Sequence, residues 1–231
     1  MSVVSIVHEA GTAVFTPGHG AQTKQLLYQE LERETRLVFD EIHTRVLPDA
    51  PDEIRRGCHL QGNEFNITLK PNFETGTGKA EAVINQGLVY LLELLADTVS
   101  SDPMAGDWTM AHYAELDSVL ANQDASPSCS VDDIPEPVET QLNRIDVAYY
   151  HADAAEVGSL KLNKVAGVEA ALEVLDIEDP FSVIMGDSKT DLRVMRWAEE
   201  HGCGIGAAPT HASQAVVEYV EQADTCAQSA S

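Results

Sequence analysis

Phe181-Ser-Val-Ile-Met-Gly186-Asp187-Ser-Lys-Thr-Asp191 is an apolar run that ends in glycine and leads into two carboxylates one helical turn apart. The apolar run predicts a strand, and the residues after it predict the start of a helix. Ligands of parallel α/β sheets bind at the carboxyl ends of the strands, so Asp187 is expected to lie in a binding site. Asp191, one turn further along the helix, can face the same point.

Two interpretations of this pattern are open. Oxygen donors held in this way suit a hard cation such as Mg²⁺, which usually takes one or two carboxylates together with water and a substrate phosphate. Alternatively, Asp187 caps the helix and Asp191 is a surface residue that complements the helix dipole. The spacing alone does not decide between a metal site and a helix cap.

The sequence around this stretch alternates between helical and strand patterns. Helices are predicted at 164–175, 188–200 and 210–220, and strands at 181–185 and 203–207. Regular alternation of this kind indicates a parallel α/β sheet. The expected core is therefore a Rossmann-like parallel sheet.

The first two thirds of the chain have a different pattern of predicted helices and strands. Residues 3–7 predict a short strand that enters a turn. The middle region predicts a small α+β domain on an antiparallel plan. Its expected elements are helices at about 22–47, 80–98 and 110–122, strands at 62–69 and 144–151, and a loop at 124–140.

Composition excludes several classes of protein. The 231 residues carry a net charge of −24, so no basic stripe is available for a nucleic acid backbone, and nucleic acid is not an expected partner. No apolar run approaches the roughly 18 residues of a membrane span, and no secretory signal is found, so a soluble, cytoplasmic protein with no membrane partner is expected. The Lys-poor, acid-rich composition favours a halophilic source. Four widely spaced cysteines, without a Cys-x-x-Cys pair, are expected to be reduced.

The carboxyl-terminal third resembles a known enzyme family. Asn163-Lys164-Val-Ala-Gly167 precedes a helix, and Gly186-Asp187-x-x-x-Asp191 follows it at the next strand end. This order and spacing resemble the carboxyl-terminal half of haloacid dehalogenase superfamily hydrolases, in the capped Cof-type and sugar-phosphatase branch. The resemblance continues through residues 203–207 to Asp224 and covers about 160–224.

The resemblance implies a role for individual residues. Lys164 would neutralise the charge of the substrate phosphate and of the nucleophile, Asp187 would bind Mg²⁺, and Asp191 would be a second ligand or the hydrogen-bonded support of the first. Thr210 and His211, expected to open the last helix, would contact the substrate. The implied reaction is attack of an aspartate on a phosphoester, followed by hydrolysis of the aspartyl-phosphate. Thr190 stands where the family often has Asn, which affects the support of the metal site.

The amino-terminal half departs from the family pattern, whose first motif is a strand followed by Asp-x-Asp-Gly-Thr. That motif supplies the nucleophile and the general acid/base, and it has no match here. One alignment places His8-Glu-Ala10-Gly-Thr12 on it, with both aspartates replaced, which describes a phosphatase without its nucleophile. The preferred alignment takes residues 1–15 as the strand and turn leading into the cap, commonly Glu-Asn-Gly-Ala, and places the first motif upstream of Met1.

The preferred alignment predicts three segments and an incomplete sheet. Residues 1–18 would be a core strand leading into the cap, 19–156 an α+β cap domain, and 157–231 the carboxyl-terminal half of the α/β core. In the family, the missing first strand lies beside the strand 181–185, whose backbone groups are left unpaired without it. We expect a gap in the sheet, a rearranged strand order, or a second copy or other partner that fills the gap.

Three functions remain open from the sequence. The leading hypothesis is a Mg²⁺-dependent phosphatase, a phosphoric monoester hydrolase acting on a small phosphorylated metabolite such as a sugar phosphate, with its nucleophile not found in the chain. The alternative is a catalytically inactive binding or regulatory protein that keeps the metal and phosphate site. The third is an unrelated α/β domain in which the Gly186–Asp191 pattern is coincidental.

Overall fold

The computed structural model describes residues 6–8, 13–15, 31–114, 128–187 and 189–223. The chain forms two compact units. Unit 1 consists of Met1–Tyr28 with Leu162–Ser231, and unit 2 is the inserted segment Gln29–Lys161. The predicted assignment of these regions as core and cap stays a prediction.

Unit 1 is an α/β unit, and it contains the parallel strands that the sequence predicts. Its elements are β1 (Ile6–His8), β2 (Ala13–Phe15), α6 (Lys164–Val174), β7 (Ser182–Met185), α7 (Lys189–Glu200), β8 (Gly204–Ala207) and α8 (Gln214–Gln222). Strands β7 and β8 pair in parallel, with Ser182 opposite Gly204 and Met185 opposite Ala207. A core of Leu192, Met195, Val216 and Val220 joins α7 to α8, and Ile184 of β7 packs against it.

The outer edge of β7 has no strand beside it among the described residues. Large apolar side chains are exposed at every second residue here: Phe181, directly before β7, at 75%, and Val183 and Met185, on β7, at 63% and 72%. Because successive side chains of a strand point to opposite faces, one face of β7 packs on the core while the other stays open. This arrangement agrees with an incomplete sheet that lacks a neighbour of β7.

The amino-terminal segment forms a hairpin where the sequence predicts a single strand. β1 pairs antiparallel with β2, with Ile6 opposite Phe15 and His8 opposite Ala13. Both strands contact α6. Residues 3–5 of the predicted strand lie outside the described part of the chain.

Unit 2 is an α+β unit built on one antiparallel sheet. Its strands are β3 (Cys58–Asn63), β4 (Asn66–Pro71), β5 (Ile145–Tyr150) and β6 (Ala154–Ser159), in the order β3-β4-β6-β5. Its helices are α1 (Arg33–Arg45), α2 (Asp52–Gly57), α3 (Thr77–Val99), α4 (Ala105–Ala114) and α5 (Glu136–Leu142). Phe65, Ile67 and Leu69, predicted to share one face, are all buried.

Helix α3 is the central helix of unit 2. Its segment Gly78–Val99 is long and apolar enough to cross a membrane by length and composition, contrary to the expectation that no run in the chain approaches that length. Half of this apolar window is buried within the protein, and α3 contacts β4, β6 and four helices. Its apolar character is explained by packing, because Ile84, Leu88 and Leu95 are fully buried.

Three expectations for unit 2 need correction. The predicted loop 124–140 contains a 3₁₀ turn at Val131–Asp133 and the start of α5, where Pro135 precedes the helix and Pro137 occupies its first turn. The predicted strand 62–69 spans the turn of a hairpin, because β3 ends at Asn63 and β4 begins at Asn66, with the turn at residues 64 and 65. Strand β6 was not predicted. The helical segments predicted at 22–30 and 115–122 lie outside the described residues.

Candidate functional site

The loop between β7 and α7 is held in place by main-chain hydrogen bonds. Gly186 N–H donates to the carbonyl of Ala207 at the end of β8, at 3.2 Å. Ser213 N–H, directly before α8, donates to the carbonyl of Asp187 at 2.8 Å. The loop that carries Asp187 is therefore fixed to the carboxyl end of the parallel sheet, where ligands of such sheets bind.

Asp191 is the most enclosed charged group at this strand end. Its side chain is 16% exposed, and Lys164 Nζ donates to its Oδ1 at 2.6 Å. The main-chain N–H of Asp187 donates to its Oδ2 at 3.1 Å. Both oxygens of Asp191 are thus engaged by the protein, which fits the supporting role rather than that of a direct metal ligand.

The position of Lys164 follows from the cap of α6. The side chain of Asn163 accepts hydrogen bonds from Val165 N–H at 2.8 Å and from Ala166 N–H at 3.3 Å. Two of the orphan donors of the helix are satisfied in this way, so α6 begins at Lys164. The first side chain of α6 then reaches Asp191 in the first turn of α7, while its role toward a substrate phosphate stays a prediction.

Gly186 must be a glycine because the side chain of Asp191 lies very close to its Cα. A Cβ atom at this residue would lie 2.2 Å from the Cβ and 2.5 Å from the Cγ of Asp191. No side chain fits at such distances. The absence of a side chain at Gly186 is what allows Asp191 to fold back over the end of β7.

Asp187 presents the accessible carboxylate of the site. Its side chain is 58% exposed, and the Nε2 of His211 lies 3.8 Å from its Oδ2. Thr210 and His211 do not open the last helix as expected, because α8 begins at Gln214 after Ser213. They lie in the loop after β8. This loop brings His211 to Asp187, whereas the structure gives no contact of Thr210 with Asp187.

The donor set can be compared with the needs of Mg²⁺. Asp187 offers one exposed carboxylate, and Mg²⁺ is commonly bound through one or two carboxylates with the rest of its shell taken by water and phosphate. Within the described ranges, no group of three or more His, Cys, Asp or Glu side chains could hold a metal ion. The residues present therefore fit part of a magnesium site, in which Asp187 would offer the accessible carboxylate.

A second polar cluster lies on the sheet of unit 2. Asn66 Nδ2 and Thr68 Oγ1 donate to the two carboxylate oxygens of Glu156, at 2.6 and 3.0 Å. Thr68 Oγ1 is also 2.9 Å from Asn66 Oδ1. The alternation of Asn66 and Thr68 was visible in the sequence, but their partner, about ninety residues away on β6, was not.

Comparisons with known proteins add little to this geometry. No family model and no curated protein matches the chain. Among solved structures, the chain is similar to the sucrose-phosphatase from Synechocystis sp. PCC6803, solved in complex with sucrose and phosphate, with a TM-score of 0.47 and 13% sequence identity. The match covers 96% of this chain and 66% of that chain, so the present chain spans just under two thirds of its length. At this TM-score and identity, the likeness assigns no residue and no substrate.

Proposed function

We propose that the chain is a Mg²⁺-dependent phosphatase of the haloacid dehalogenase type, acting on a small phosphorylated metabolite such as a sugar phosphate. The observation that carries the proposal is the arrangement at the carboxyl end of β7. There the Lys164 ammonium lies 2.6 Å from Asp191, while Asp187 keeps an exposed carboxylate. Fixed charges gathered at a strand end are what stabilisation of a transferring phosphoryl group requires.

Each residue has a distinct task in this proposal. Asp187 would hold Mg²⁺, and Asp191 would orient Lys164 and the loop through its two hydrogen bonds. Lys164 would neutralise negative charge on the substrate phosphate, and His211 with Thr210 would contact the substrate from the loop after β8. When bound, the metal would contribute further neutralisation of the phosphate oxygens.

The nucleophile of the proposed reaction is an aspartate on a strand that pairs with the open edge of β7. A carboxylate oxygen of this aspartate attacks phosphorus, and the P–O bond to the ester oxygen breaks as a general acid on the same strand gives that oxygen a proton, so that it leaves as an alcohol. Water then hydrolyses the aspartyl-phosphate to inorganic phosphate and restores the aspartate. Support comes from the exposure of Phe181, Val183 and Met185 and from the lack of a second neighbour for β7 among the described strands. A segment beyond the described residues, a second copy or another partner would supply this strand.

A second candidate function is a binding or regulatory protein that keeps the metal and phosphate site. It is favoured by the open edge of β7, because the described strands place no nucleophile-bearing neighbour beside it. Such a protein would bind Mg²⁺ and phosphate esters without turnover. The two candidates share the binding site and differ only in the nucleophile.

Phosphate release from a panel of phosphate esters tests the proposal, with and without Mg²⁺, in concentrated KCl that screens the acidic chain. We expect Mg²⁺-dependent release that is lost in Asp187→Asn. Asp97→Asn is the matched control, because Asp97 is similarly exposed, at 68%, and lies 3.4 Å from a cationic partner, Arg45. Release by Asp187→Asn equal to that of the control would refute the role of Asp187.

Calorimetric titration with Mg²⁺ separates the two candidates. Absence of turnover, with Mg²⁺ binding that is lost in Asp187→Asn but kept in Asp97→Asn, would establish the binding protein. Absence of turnover with no difference in Mg²⁺ binding between the two variants would contradict both candidates. The Gly186–Asp191 pattern would then be the helix cap that the sequence also allows.

A further inference from the structure

Unit 2 contains a small polar cavity remote in sequence from the Gly186–Asp191 pattern. Its volume is about 290 Å³, at the lower end of the range of roughly 300–1,000 Å³ for ligand pockets. It is formed where the chain enters unit 2, at the start of α1, and where the chain leaves unit 2, at the end of β6. Its polar lining residues are Glu32, Thr35, Asn143, Arg144, Ser159 and Lys161.

Thr35 carries an unsatisfied hydroxyl at this cavity. The residue is fully buried, at 0% exposure, and its Oγ1 has no hydrogen-bond partner in the described chain. Leaving a buried hydroxyl without a partner destabilises the folded state, and native proteins contain few such groups. A hydroxyl retained at such a place indicates a partner that the chain itself does not supply.

Two cationic side chains, Lys161 and Arg144, act on the carboxylate of Glu32 at this cavity. Lys161 Nζ lies 3.8 Å from Glu32 Oε1. The pKa of the Glu32 carboxyl lies below its ordinary value, first because a main-chain N–H donates to it, and also because the charges of Lys161 and Arg144 favour its ionised form. The charges of both Lys161 and Arg144 are therefore felt at the cavity wall, where Glu32 lies.

We propose that this cavity binds a small oxyanion, a phosphate or carboxylate group, through Arg144 and Lys161, with the hydroxyl of Thr35 as a further donor. A guanidinium presents paired N–H donors that match the oxygens of either group. The buried hydroxyl of Ser159 and the amide of Asn143 line the same space. The bound anion connects the two segments through which the chain enters and leaves unit 2, so its binding stabilises this end of the unit.

The overall charge of −24 does not oppose such a site in concentrated salt. At about 1 M ionic strength the Debye length is only about 3 Å, so charges beyond the cavity wall contribute little. The affinity is then set by the groups that line the cavity. The site is independent of the proposed phosphatase activity, because all of its residues belong to unit 2.

Calorimetric titration with two probes, inorganic phosphate and malate, tests the proposal at a constant concentration of KCl. The full chain carrying Lys164→Met is used, so that phosphate bound near Asp191 does not contribute. We expect one probe to bind, and which one binds distinguishes a phosphate from a carboxylate ligand. Arg144→Gln is expected to weaken that binding about tenfold or more, because a hydrogen bond to a charged group is lost.

Two further variants keep the test decisive. Arg55→Gln, at an exposed arginine of the same unit that pairs with Asp52, is the matched control and should leave the affinity unchanged. Thr35→Val should weaken probe binding several-fold while raising the unfolding midpoint of the probe-free protein, because it removes a buried unsatisfied hydroxyl. Binding of neither probe, or equal affinity in Arg144→Gln and Arg55→Gln, would overturn the proposal. Unchanged affinity in Thr35→Val would also contradict it.

Discussion

The replacement of Gly186 by alanine tests whether the site depends on the close approach of Asp191 to the end of β7. A Cβ at this residue would lie 2.2 Å from the Asp191 Cβ and 2.8 Å from its Oδ2. Since carbon atoms in contact are about 3.5–4.0 Å apart, Asp191 would have to move by more than 1 Å. Its hydrogen bonds with Lys164 Nζ and Asp187 N–H, now 2.6 and 3.1 Å long, would then be broken.

The expected loss of stability follows from two contributions. Overpacking in a filled site costs about 1–3 kcal/mol. The two hydrogen bonds contribute about 1 kcal/mol each at most, because Lys164 is 41% exposed and its attraction to Asp191 is screened by solvent. We therefore expect Gly186→Ala to lower the free energy of unfolding of unit 1 by about 2–4 kcal/mol.

Urea titration provides the assay for unit 1. Trp197 lies in α7 and donates to Glu169 at 3.0 Å, so with Trp108→Phe in the background its fluorescence reports on the unfolding of this unit. With a denaturant slope of about 2 kcal/mol per M, the midpoint of Gly186→Ala should fall by about 1–2 M. Gly106→Ala is the control, because nothing lies within 4 Å of its added Cβ and it belongs to unit 2, so the midpoint that Trp197 reports should stay unchanged. An unchanged midpoint in Gly186→Ala would refute the steric argument.

Three further substitutions test packing, turn geometry and titration. Tyr113→Phe should lower the free energy of unfolding by about 1–2 kcal/mol, measured by urea titration, because the buried hydroxyl donates to two main-chain carbonyls that would lose their donor. Ala152→Gly should raise the free energy of unfolding by about 0.5–1 kcal/mol, and with it the thermal midpoint, since Ala152 has a φ of 56°. Ala82→Gly, in the exposed face of α3, should lower the thermal midpoint. Burial lowers the pKa of His112 in the folded protein. As the pH drops below about 6.5, the unfolded chain therefore binds this proton more readily than the folded chain, and the free energy of unfolding should fall. His112→Gln should show a smaller loss between about pH 7 and pH 5, and an identical pH dependence would contradict this assignment.

The local part of the site could be predicted from the sequence. Asn163 before an apolar helix and Gly186 after an apolar strand are signals whose effect is confined to a few neighbouring residues. The structure accordingly begins α6 at Lys164 and ends β7 at Met185, close to the predicted bounds. Local hydrogen bonding and side-chain periodicity determine such features, so one sequence is sufficient to find them.

The contacts that give the site its chemistry could not be predicted in the same way. The position of His211 beside Asp187 depends on where α8 begins, and Ser213 N–H fixes that start by donating to the Asp187 carbonyl. Whether Asp191 is a metal ligand or a support depends on distances to Lys164, 27 residues earlier in the chain. Pairings over such separations depend on tertiary packing, which residue spacing does not record.

The same limit applies to unit 2. The hydrophobic alternation of Phe65, Ile67 and Leu69 identified a buried face correctly, because a period of two is a local property. Strand β6 was missed, since Ala154–Ser159 is short and rich in small residues and is recognised as a strand only by its pairing with β4 and β5. The cavity at Thr35 and Arg144 was equally invisible, because its walls come from segments more than a hundred residues apart.

The charges at the end of β7 determine the order in which ligands can bind there. Lys164 pairs with Asp191, and Asp187 adds a second carboxylate at the same strand end, so these three groups have an excess of negative charge that attracts a cation and repels a phosphate dianion. Binding of a divalent cation at Asp187 would reverse this balance, and by linkage each ligand would then strengthen the binding of the other. In the Arg144→Gln variant, where binding at the cavity of unit 2 is weakened, phosphate should therefore bind more tightly with Mg²⁺ than without it. Equal affinity under both conditions would mean that Lys164 alone binds the anion and that the carboxylates serve only to hold the loop.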